Sequence, residues 1–189
     1  MDIAFQKTRA RIQAKARRQE FLRAGDAAAS AVELMQHFPS NRFRGALIGG
    51  IWPLPGELDI RPLMTALAEQ GHSLSLPCTP RKGQPLIFRS WSPTQKLKAG
   101  PYGTSEPYPT QAEVWPSLVL VPLLAFTPSG DRLGYGGGFY DRTLAGLRAK
   151  QDVFACGVAF AAQEAAHIPT GEHDVPLDGI LTDQYFKAF

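Results

Sequence analysis

Apolar residues in this chain fall into short runs of strand length and into longer stretches with helical spacing. Residues 118–126 form a continuous apolar run, which is typical of a strand buried on both faces of a sheet. Residues 73–77 alternate between polar and apolar positions, as a half-buried strand does. Strands are therefore predicted at residues 46–52, 73–77, 86–91, 118–126, 153–160 and 179–181.

Helical spacing appears between these runs. An intermittent apolar stripe over residues 5–38 predicts one long helix, or two helices broken near Gly25. Gly71 is a natural C-terminal stop for a second helix, and basic residues in the last turn favour a third. These further helices are predicted at residues 61–70 and 140–150, with a short one at residues 161–168.

The alternation of strands and helices predicts an α/β fold with three layers, α/β/α, and a largely parallel sheet. We expect one domain over residues 1–189, with a basic helical segment at 1–38 and an α/β core at 45–189. Residues 91–115 are rich in Pro, Gly, Ser and Tyr and predict mostly irregular structure. Because long loops in compact domains are usually functional or mobile, Tyr102 and Glu106 are candidates to line a ligand pocket.

Composition narrows the class of protein. The nine apolar residues at 118–126 are far too few to span a membrane, and no secretory signal is visible at the N-terminus. Cys78 and Cys156 lie in apolar, strand-like contexts, which predicts buried free thiols rather than a disulfide and a cytoplasmic location. No Cys/His spacing resembles a zinc site.

The net charge of +3 is unevenly distributed. Residues 1–23 hold seven basic and two acidic residues, a net charge of +5, so the remainder carries −2. A basic helix over these residues can bind nucleic acid or a membrane surface, or supply side chains to a phosphate pocket. A solvated charged face is the commonest case. Lys7 and Arg11 are four residues apart and therefore project from one face of the helix.

A glycine-rich segment at residues 132–142 follows the apolar run at 118–126 and leads into a predicted helix. Its four glycines let the backbone adopt positive φ and let a ligand approach closely. Successive N–H groups beside a helix N-terminus form an anion site. Arg132 and Arg142 flank the loop and can neutralise phosphate, while Asp141 offers a carboxylate to a cation that bridges phosphates. The segment thus predicts a cradle for nucleotide phosphates.

Two common phosphate-binding motifs do not fit this segment. No Gly-Lys-Ser/Thr follows it, so it is not a Walker A loop. Phe139 and Tyr140 stand where a dinucleotide fingerprint would continue into a small residue, and no acidic residue stands at the expected distance at a strand end. A tight strand-to-helix connection without a ligand is the alternative interpretation of the glycines alone.

Together with other segments, this loop resembles the 5-formyltetrahydrofolate cyclo-ligase family, also called methenyltetrahydrofolate synthetases. The resemblance runs nearly end to end, and the glycine segment followed by Tyr140-Asp-Arg is its most specific part. The other matching segments are the pair Lys7 and Arg11, and residues 52–59, 76–77, 88–91, 103–107, 121–126 and 173–178.

The resemblance implies an enzyme that couples ATP hydrolysis to ring closure of 5-formyltetrahydrofolate, giving 5,10-methenyltetrahydrofolate, ADP and phosphate, with Mg²⁺ required. It implies a fold similar to that of sugar-phosphate isomerases and deaminases. The implied ATP-binding positions are Lys7, Arg11, Arg132, Leu133, Gly134, Tyr135, Gly136, Gly137, Gly138, Phe139 and Tyr140. The implied folate-binding positions are Trp52, Glu57, Tyr135, Gly136, Gly137, Gly138 and Phe139. Asp141 and Asp174 match the magnesium ligands, and Arg132, Tyr140 and Arg142 are the expected catalytic residues.

Two positions depart from the family pattern. Thr127 stands where an Asp is common, and Phe139 replaces a usual Tyr, which keeps an aromatic face but loses a hydroxyl. The expected partners are 5-formyltetrahydrofolate and ATP, without nucleic acid or membrane, in a monomer or a weak homo-oligomer.

The implied reaction suits the residues, because phosphoryl transfer needs positioning and charge stabilisation more than covalent help. No Ser-His-Asp or Cys-His nucleophile arrangement is apparent. Two other classes stay open: a nucleotide- or folate-binding protein without turnover, and a nucleic-acid-binding protein that uses the basic N-terminal helix. Arg132, Asp141 and Asp174 argue against the first, and the absence of a basic sheet motif interleaved with aromatics argues against the second.

Overall fold

The computed structural model describes residues 2–25 and 27–189, and their regular structure is mixed α/β. The α-helices are α1 Ile3–Ala24, α2 Ala27–His37, α3 Arg61–Glu69 and α4 Phe139–Arg148. Short 3₁₀ helices cover Ser40–Phe43, Pro101–Gly103 and Ala161–Gln163. The strands are β1 Leu47–Gly49, β2 Ser73–Cys78, β3 Ile87–Trp91, β4 Lys98–Ala99, β5 Ser105–Glu106, β6 Leu118–Pro122, β7 Ala125–Phe126, β8 Arg132–Leu133, β9 Phe154–Ala159, β10 Gly179–Thr182 and β11 Phe186–Ala188.

Seven strands of the described chain form one main sheet, in the order β11-β10-β9-β6-β1-β2-β3. The five inner strands are parallel, and the two edge strands are antiparallel to their neighbours. Across the sheet, β2 and β3 follow on one side of β1, and β6, β9 and β10 follow on the other side. The order therefore reverses between β1 and β6, where ligand sites of open α/β sheets form.

Alternating side chains of the central strands feed two cores, one on each face of the sheet. On β6, Leu118 and Leu120 pack in the cluster that contains Leu34 of α2 and Met64 of α3. Val119 and its alternate neighbour Val121 face the opposite cluster, which contains Leu144 and Leu147 of α4. Helices thus cover both faces, and the predicted three-layer α/β/α architecture with a largely parallel sheet is confirmed.

Helix α1 lies outside these layers, against the small β7–β8 hairpin. Ala14 is buried in a third cluster with Leu124, Ala125 and Leu133. The helix ends where Gly25 adopts an extended conformation, and its N–H still donates to the Phe21 carbonyl (2.9 Å). The break predicted near Gly25 is therefore present, with α1 ending at Ala24 and α2 beginning at Ala27.

The predicted strand at 118–126 is wrong in its extent, because it is two strands. β6 ends at Pro122, and the carbonyls of Leu123 and Leu124 accept hydrogen bonds from the Gln163 side chain (2.9 and 3.1 Å) instead of from a neighbouring strand. The chain then forms β7, which pairs with β8. The predicted helix at 161–168 is also too long, since only a 3₁₀ turn forms there.

Several smaller elements differ from the prediction. The β4–β5 hairpin forms inside the segment expected to be mostly irregular, and β11 adds an edge strand that the sequence pattern did not indicate. Both cysteines are free, with Cys156 buried and Cys78 half-buried. Among the described residues, no helix combines the length and the apolar character needed to cross a membrane.

Candidate active site

A large cavity opens at the carboxyl ends of β1 and β6, where the strand order reverses. Its volume is about 1240 Å³. Ile51 and Trp52 enter it from the segment after β1, and Pro122 enters it from the end of β6. The glycine loop between β8 and α4 forms another wall, as do residues of α1 and the loop at 172–175. The fold therefore brings segments far apart in sequence to one side of the sheet.

The glycine loop places its backbone amides along the cavity wall. Gly136 and Gly138 adopt positive φ values of 96° and 65°, which glycine tolerates and other residues rarely adopt. Over residues 2–25 and 27–189, no protein group accepts a hydrogen bond from the backbone N–H of any residue from Gly134 to Gly138. Since Gly138 is the N-cap of α4, these free donors adjoin the positive end of a helix dipole. The arrangement suits an anion.

Arg11 and Arg18 of α1 contact this loop, and Lys7 of the same helix contacts the loop at 172–175. Arg11 Nε donates to the Gly134 carbonyl (3.0 Å), and its guanidinium lies beside the Cα of Gly136. Lys7 forms an ion pair with Asp174, and Arg18 donates to the Tyr135 hydroxyl (2.8 Å). Helical spacing explains the set, because positions 7, 11 and 18 share one face of an α-helix.

Two carboxylates in the cavity wall are paired with cations. Arg132 Nη2 lies 2.5 Å from Asp141 Oδ1, and the Arg132 Nε is buried without a partner among the described residues. Partial burial pushes the pKa of Asp174 upward, but hydrogen bonds from Lys7 and from the Gly171 N–H outweigh it and hold the pKa below its ordinary value. The Asp174 carboxyl group is therefore charged near neutral pH.

The described residues contain no cluster of three or more His, Cys, Asp or Glu side chains that would hold a metal ion alone. Asp141 and Asp174 nevertheless both line the cavity. Mg²⁺ in nucleotide sites commonly has one or two carboxylate ligands, with phosphates and water completing the shell. The donor set here fits an ion of that kind, and does not fit a closed site built from protein alone.

Glu57 also lines the cavity, where it contacts the glycine loop through Tyr135. Its Oε2 accepts from the Leu54 N–H (2.8 Å), and its Oε1 accepts from the Tyr135 hydroxyl (2.5 Å). Burial, reinforced by the charge of Glu57, raises the pKa of Tyr135 and also that of Tyr140. Both phenols are therefore neutral at physiological pH and serve as hydrogen-bonding groups.

Aromatic side chains form the rest of the wall around Glu57. Trp52 packs edge-on against Trp91 at a centroid distance of 6.2 Å, and the guanidinium of Arg61 lies 5.6 Å from the Trp52 ring centroid. Across the cavity, Phe139 lies 6.2 Å from Tyr102. These faces can pack against a planar heterocycle whose polar edge meets a carboxylate.

This geometry agrees with comparisons to known proteins. The family model described as the 5-formyltetrahydrofolate cyclo-ligase family matches residues 4–183. The chain belongs to this family. A curated 5-formyltetrahydrofolate cyclo-ligase from Haemophilus influenzae is 35% identical over 131 residues, which is 67% of this chain and 70% of the relative. The enzyme of that name from Escherichia coli K12 is 34% identical over 132 residues, 67% of this chain and 72% of the relative.

Solved structures extend the likeness to the fold of this cyclo-ligase family member. The NMR structure of the 5,10-methenyltetrahydrofolate synthetase from Aquifex aeolicus superposes with a TM-score of 0.74 at 24% identity. The superposition covers 96% of this chain and 92% of the Aquifex chain. The recognition made from the sequence motifs is therefore confirmed.

Every residue assigned to catalysis, ATP, folate or metal by the family resemblance lines this large cavity of the cyclo-ligase family chain. The individual roles assigned to these residues stay predictions. These residues are Lys7, Arg11, Trp52, Glu57, Arg132, Leu133, Gly134, Tyr135, Gly136, Gly137, Gly138, Phe139, Tyr140, Asp141, Arg142 and Asp174.

Of the two residues at 102–107 that were predicted to line a ligand pocket, only Tyr102 does so. Tyr102 lines the cavity, but Glu106 is buried elsewhere, where it accepts from the Thr79 N–H (2.8 Å) and pairs with Lys98 (3.6 Å). Glu106 therefore anchors the hairpin, and the expectation that it faces a ligand pocket is wrong. Thr127, which departs from the family pattern, is buried and hydrogen-bonds with Ser129 and Asp131 in the β7–β8 turn.

Sequence reasoning missed other residues of the wall. Lys82 and Leu86 enter from the segment between β2 and β3, and His173 enters beside Asp174. Arg18 was not distinguished from the other arginines of α1. Its distance of seven residues from Arg11 was the available signal, because that spacing returns to the same helix face.

Proposed function

We propose that this chain catalyses ATP-dependent cyclisation of 5-formyltetrahydrofolate to 5,10-methenyltetrahydrofolate, with release of ADP and phosphate. Membership of the family supports the reaction, and curated relatives carry the cyclo-ligase name. The observation that carries the proposal is one cavity with two chemically different walls. Free loop amides and cations suit a triphosphate on one wall, and Glu57 with aromatic faces suits a pterin on the other.

ATP would bind with its phosphates against the loop from Gly134 to Gly138. The free amides donate to phosphate oxygens, and Lys7 and Arg11 add positive charge from α1. The unpartnered Nε of Arg132 supplies a further donor beside the loop. These groups are fixed before the reaction, so they stabilise the charge of phosphoryl transfer with little reorganisation.

The folate would bind across the cavity, with Glu57 accepting hydrogen bonds from the amino-pyrimidine edge of the pterin. Trp52, Tyr102 and Phe139 supply the apolar faces for its rings. Binding both reactants in one cavity would bring the formyl group and the γ-phosphate together.

The reaction then needs two transfers, and neither requires a protein nucleophile. The formyl oxygen attacks the γ-phosphorus of ATP, and the bond to ADP breaks. The N10 amine next attacks the formyl carbon, and the former formyl oxygen leaves as inorganic phosphate once N10 has lost its proton. Arg132 and Arg142 stabilise charge on the transferred group, and Tyr140 contributes a neutral hydroxyl to the same wall.

Asp141 and Asp174 are the residues that would hold Mg²⁺, which neutralises phosphate charge when it is bound with the nucleotide. Asp141 is paired with Arg132 and Asp174 with Lys7, and all four residues line the cavity. Lys7 and Arg132 would in turn exchange part of this contact for phosphate oxygens.

The test is an absorbance assay for 5,10-methenyltetrahydrofolate in a mixture of protein, ATP, Mg²⁺ and 5-formyltetrahydrofolate. The proposal predicts product and ADP in a one-to-one ratio, and no product when ATP is omitted. Binding of both ligands by calorimetry without ADP release would instead support the non-catalytic binding protein. Absence of product with a folded protein would reject the proposed reaction.

A further inference from the structure

A chain of hydrogen bonds links α1 to the carboxylate on the folate wall. Arg18 Nη1 donates to the Tyr135 hydroxyl (2.8 Å), and that hydroxyl donates to Glu57 Oε1 (2.5 Å). The guanidinium of Arg18 also lies 5.9 Å from the centroid of the Tyr135 ring. The tyrosine is therefore held between a cation and a carboxylate, each of which uses the same hydroxyl.

Through Tyr135, these hydrogen bonds connect the glycine loop to Glu57. Tyr135 belongs to the glycine loop, between Gly134 and Gly136, and its side chain reaches Glu57, which lies 78 residues earlier in the chain. The second oxygen of Glu57 is fixed by the Leu54 N–H (2.8 Å). Both oxygens of the carboxylate are thus oriented by protein donors, and each keeps a lone pair for a ligand.

The hydrogen-bond path from Arg18 to Glu57 passes through the Tyr135 hydroxyl. Its Nη2 lies 3.8 Å from the position that a Cβ on Gly56 would take, so the guanidinium sits next to Glu57 without an ion pair to it. Arg11 holds a different part of the loop, the Gly134 carbonyl (3.0 Å). The two arginines therefore have separable contacts, one with the backbone of the phosphate wall and one with the residue that touches Glu57.

We propose that Arg18 is a positioning residue for folate binding, which orients Glu57 through the Tyr135 hydroxyl. Hydrogen bonds in series polarise one another, so loss of the first donor weakens the second bond. Glu57 then loses its fixed orientation, and the pterin binds less well. This inference rests on the proposed function for the identity of the ligand, although the loop contact itself does not depend on it.

The test is a double-mutant cycle on Arg18→Ala and Tyr135→Phe, with KM measured for each substrate. Each single variant should raise the folate KM by about three- to tenfold, as expected for one hydrogen bond, and should change the ATP KM by less than about twofold. The double variant should be no worse than Tyr135→Phe alone, because Arg18 has nothing left to orient. Arg18→Lys keeps a cationic donor and should recover part of the loss.

Arg17→Ala is the matched control, since Arg17 is the neighbouring arginine and donates to the Glu164 carbonyl (2.9 Å) rather than to the loop. It should leave both KM values at the wild-type level. Additive losses in the cycle, or a larger effect on ATP than on folate, would overturn the proposal. Either result would mean that Arg18 acts on ligands or on stability by another route.

Hydrogen–deuterium exchange of the unliganded protein separates this inference from the proposed function. Arg18→Ala and Tyr135→Phe should increase exchange of the Leu54 N–H, which donates to Glu57 Oε2 (2.8 Å), to the same extent, with no further increase in the double variant. Unchanged exchange in both variants would overturn the positioning chain even if turnover is normal. If the wild-type protein makes no product, the proposed function fails and the exchange result still decides this inference.

Discussion

Replacement of Gly136 by alanine adds a single Cβ atom to the glycine loop, close to the Arg11 guanidinium. Gly136 has a φ of 96°, and an added Cβ would lie 3.1 Å from Cζ, 3.3 Å from Nη2 and 3.4 Å from Nε of Arg11. These distances are shorter than ordinary contacts, so the guanidinium must move by a few tenths of an ångström. Such movement strains the hydrogen bond from Arg11 Nε to the Gly134 carbonyl, which is 3.0 Å long.

The two consequences have different magnitudes. A non-glycine residue at positive φ costs about 1–2 kcal/mol, which lowers the Tm of a chain of this size by roughly 2–8 °C. Displacement of a charged donor from a phosphate costs about 1.5–3 kcal/mol, so the ATP KM should rise by at least about tenfold. Gly136→Ala should therefore impair nucleotide binding in a protein that is still folded.

Gly146→Ala is the matched control, because Gly146 lies in α4 and no atom lies within 4 Å of its added Cβ. It should raise Tm by a few degrees, since alanine favours a helix by about 0.8–1 kcal/mol, and should leave the ATP KM unchanged. The assays are thermal unfolding and steady-state kinetics with varied ATP. An ATP KM within about twofold of wild type in Gly136→Ala would refute the assignment of this wall to the nucleotide.

Three further substitutions test other parts of the site. Asp141→Asn should lower kcat by about 100-fold or more while Tm falls by only a few degrees, because the amide oxygen can still accept from Arg132. Tyr102→Gly should raise the folate KM by about tenfold without lowering Tm, because position 102 has a φ of 61° that glycine adopts freely. Arg61→Gln should destabilise the protein more at pH 7 than near pH 3, since the Arg61 hydrogen bond holds the pKa of Asp59 below its ordinary value.

The pH dependence expected for Arg61→Gln follows from the lowered pKa of Asp59. A carboxyl group whose pKa is lower in the folded state stabilises the protein above its unfolded pKa of about 3.9, and loses this contribution as the pH falls through the folded pKa. A Tm difference between Arg61→Gln and wild type that is equal at both pH values would contradict it. For Asp141→Asn, a near-wild-type rate at equal Tm would remove Asp141 from the metal site. For Tyr102→Gly, an unchanged folate KM would place the substrate away from that ring.

Most of the sheet was predictable because its inner strands are parallel and buried on both faces. Such strands are uninterrupted apolar runs, as at 118–126 and 153–160. The same property concealed the end of β6, since Leu123 and Leu124 continue the run although their carbonyls bond to Gln163. The pattern of one segment cannot reveal an acceptor supplied forty residues later in the chain.

The edge elements were harder to predict. β11 has half-buried and exposed residues, so its three positions carry no apolar run that separates a strand from a loop. The β4–β5 hairpin has only two residues in each strand, and the buried carboxylate of Glu106 holds it through Thr79 and Lys98. Tertiary contacts determine where these short strands form, so the local sequence pattern does not reveal them.

The site was predictable where its chemistry is concentrated in sequence. The glycines with Arg132, Asp141 and Arg142 lie within eleven residues, and their combination indicates phosphate binding on its own. Arg18 was not predictable in this way, because α1 carries several exposed basic residues with the same local pattern. The seven-residue spacing from Arg11 places Arg18 on the same helix face, but its contact with the Tyr135 hydroxyl (2.8 Å) is visible only in the structure.

The central claim is that the free amides of the glycine loop bind the triphosphate of ATP. Glycine-selective ¹⁵N labelling would give one signal for each of the 18 glycines, which can be assigned by substitution and followed during ATP titration with Mg²⁺. The account predicts large, saturable shifts for Gly134, Gly136, Gly137 and Gly138, and none for Gly146. If calorimetry shows saturation by ATP while those four signals stay in place, the nucleotide binds elsewhere and the account is wrong.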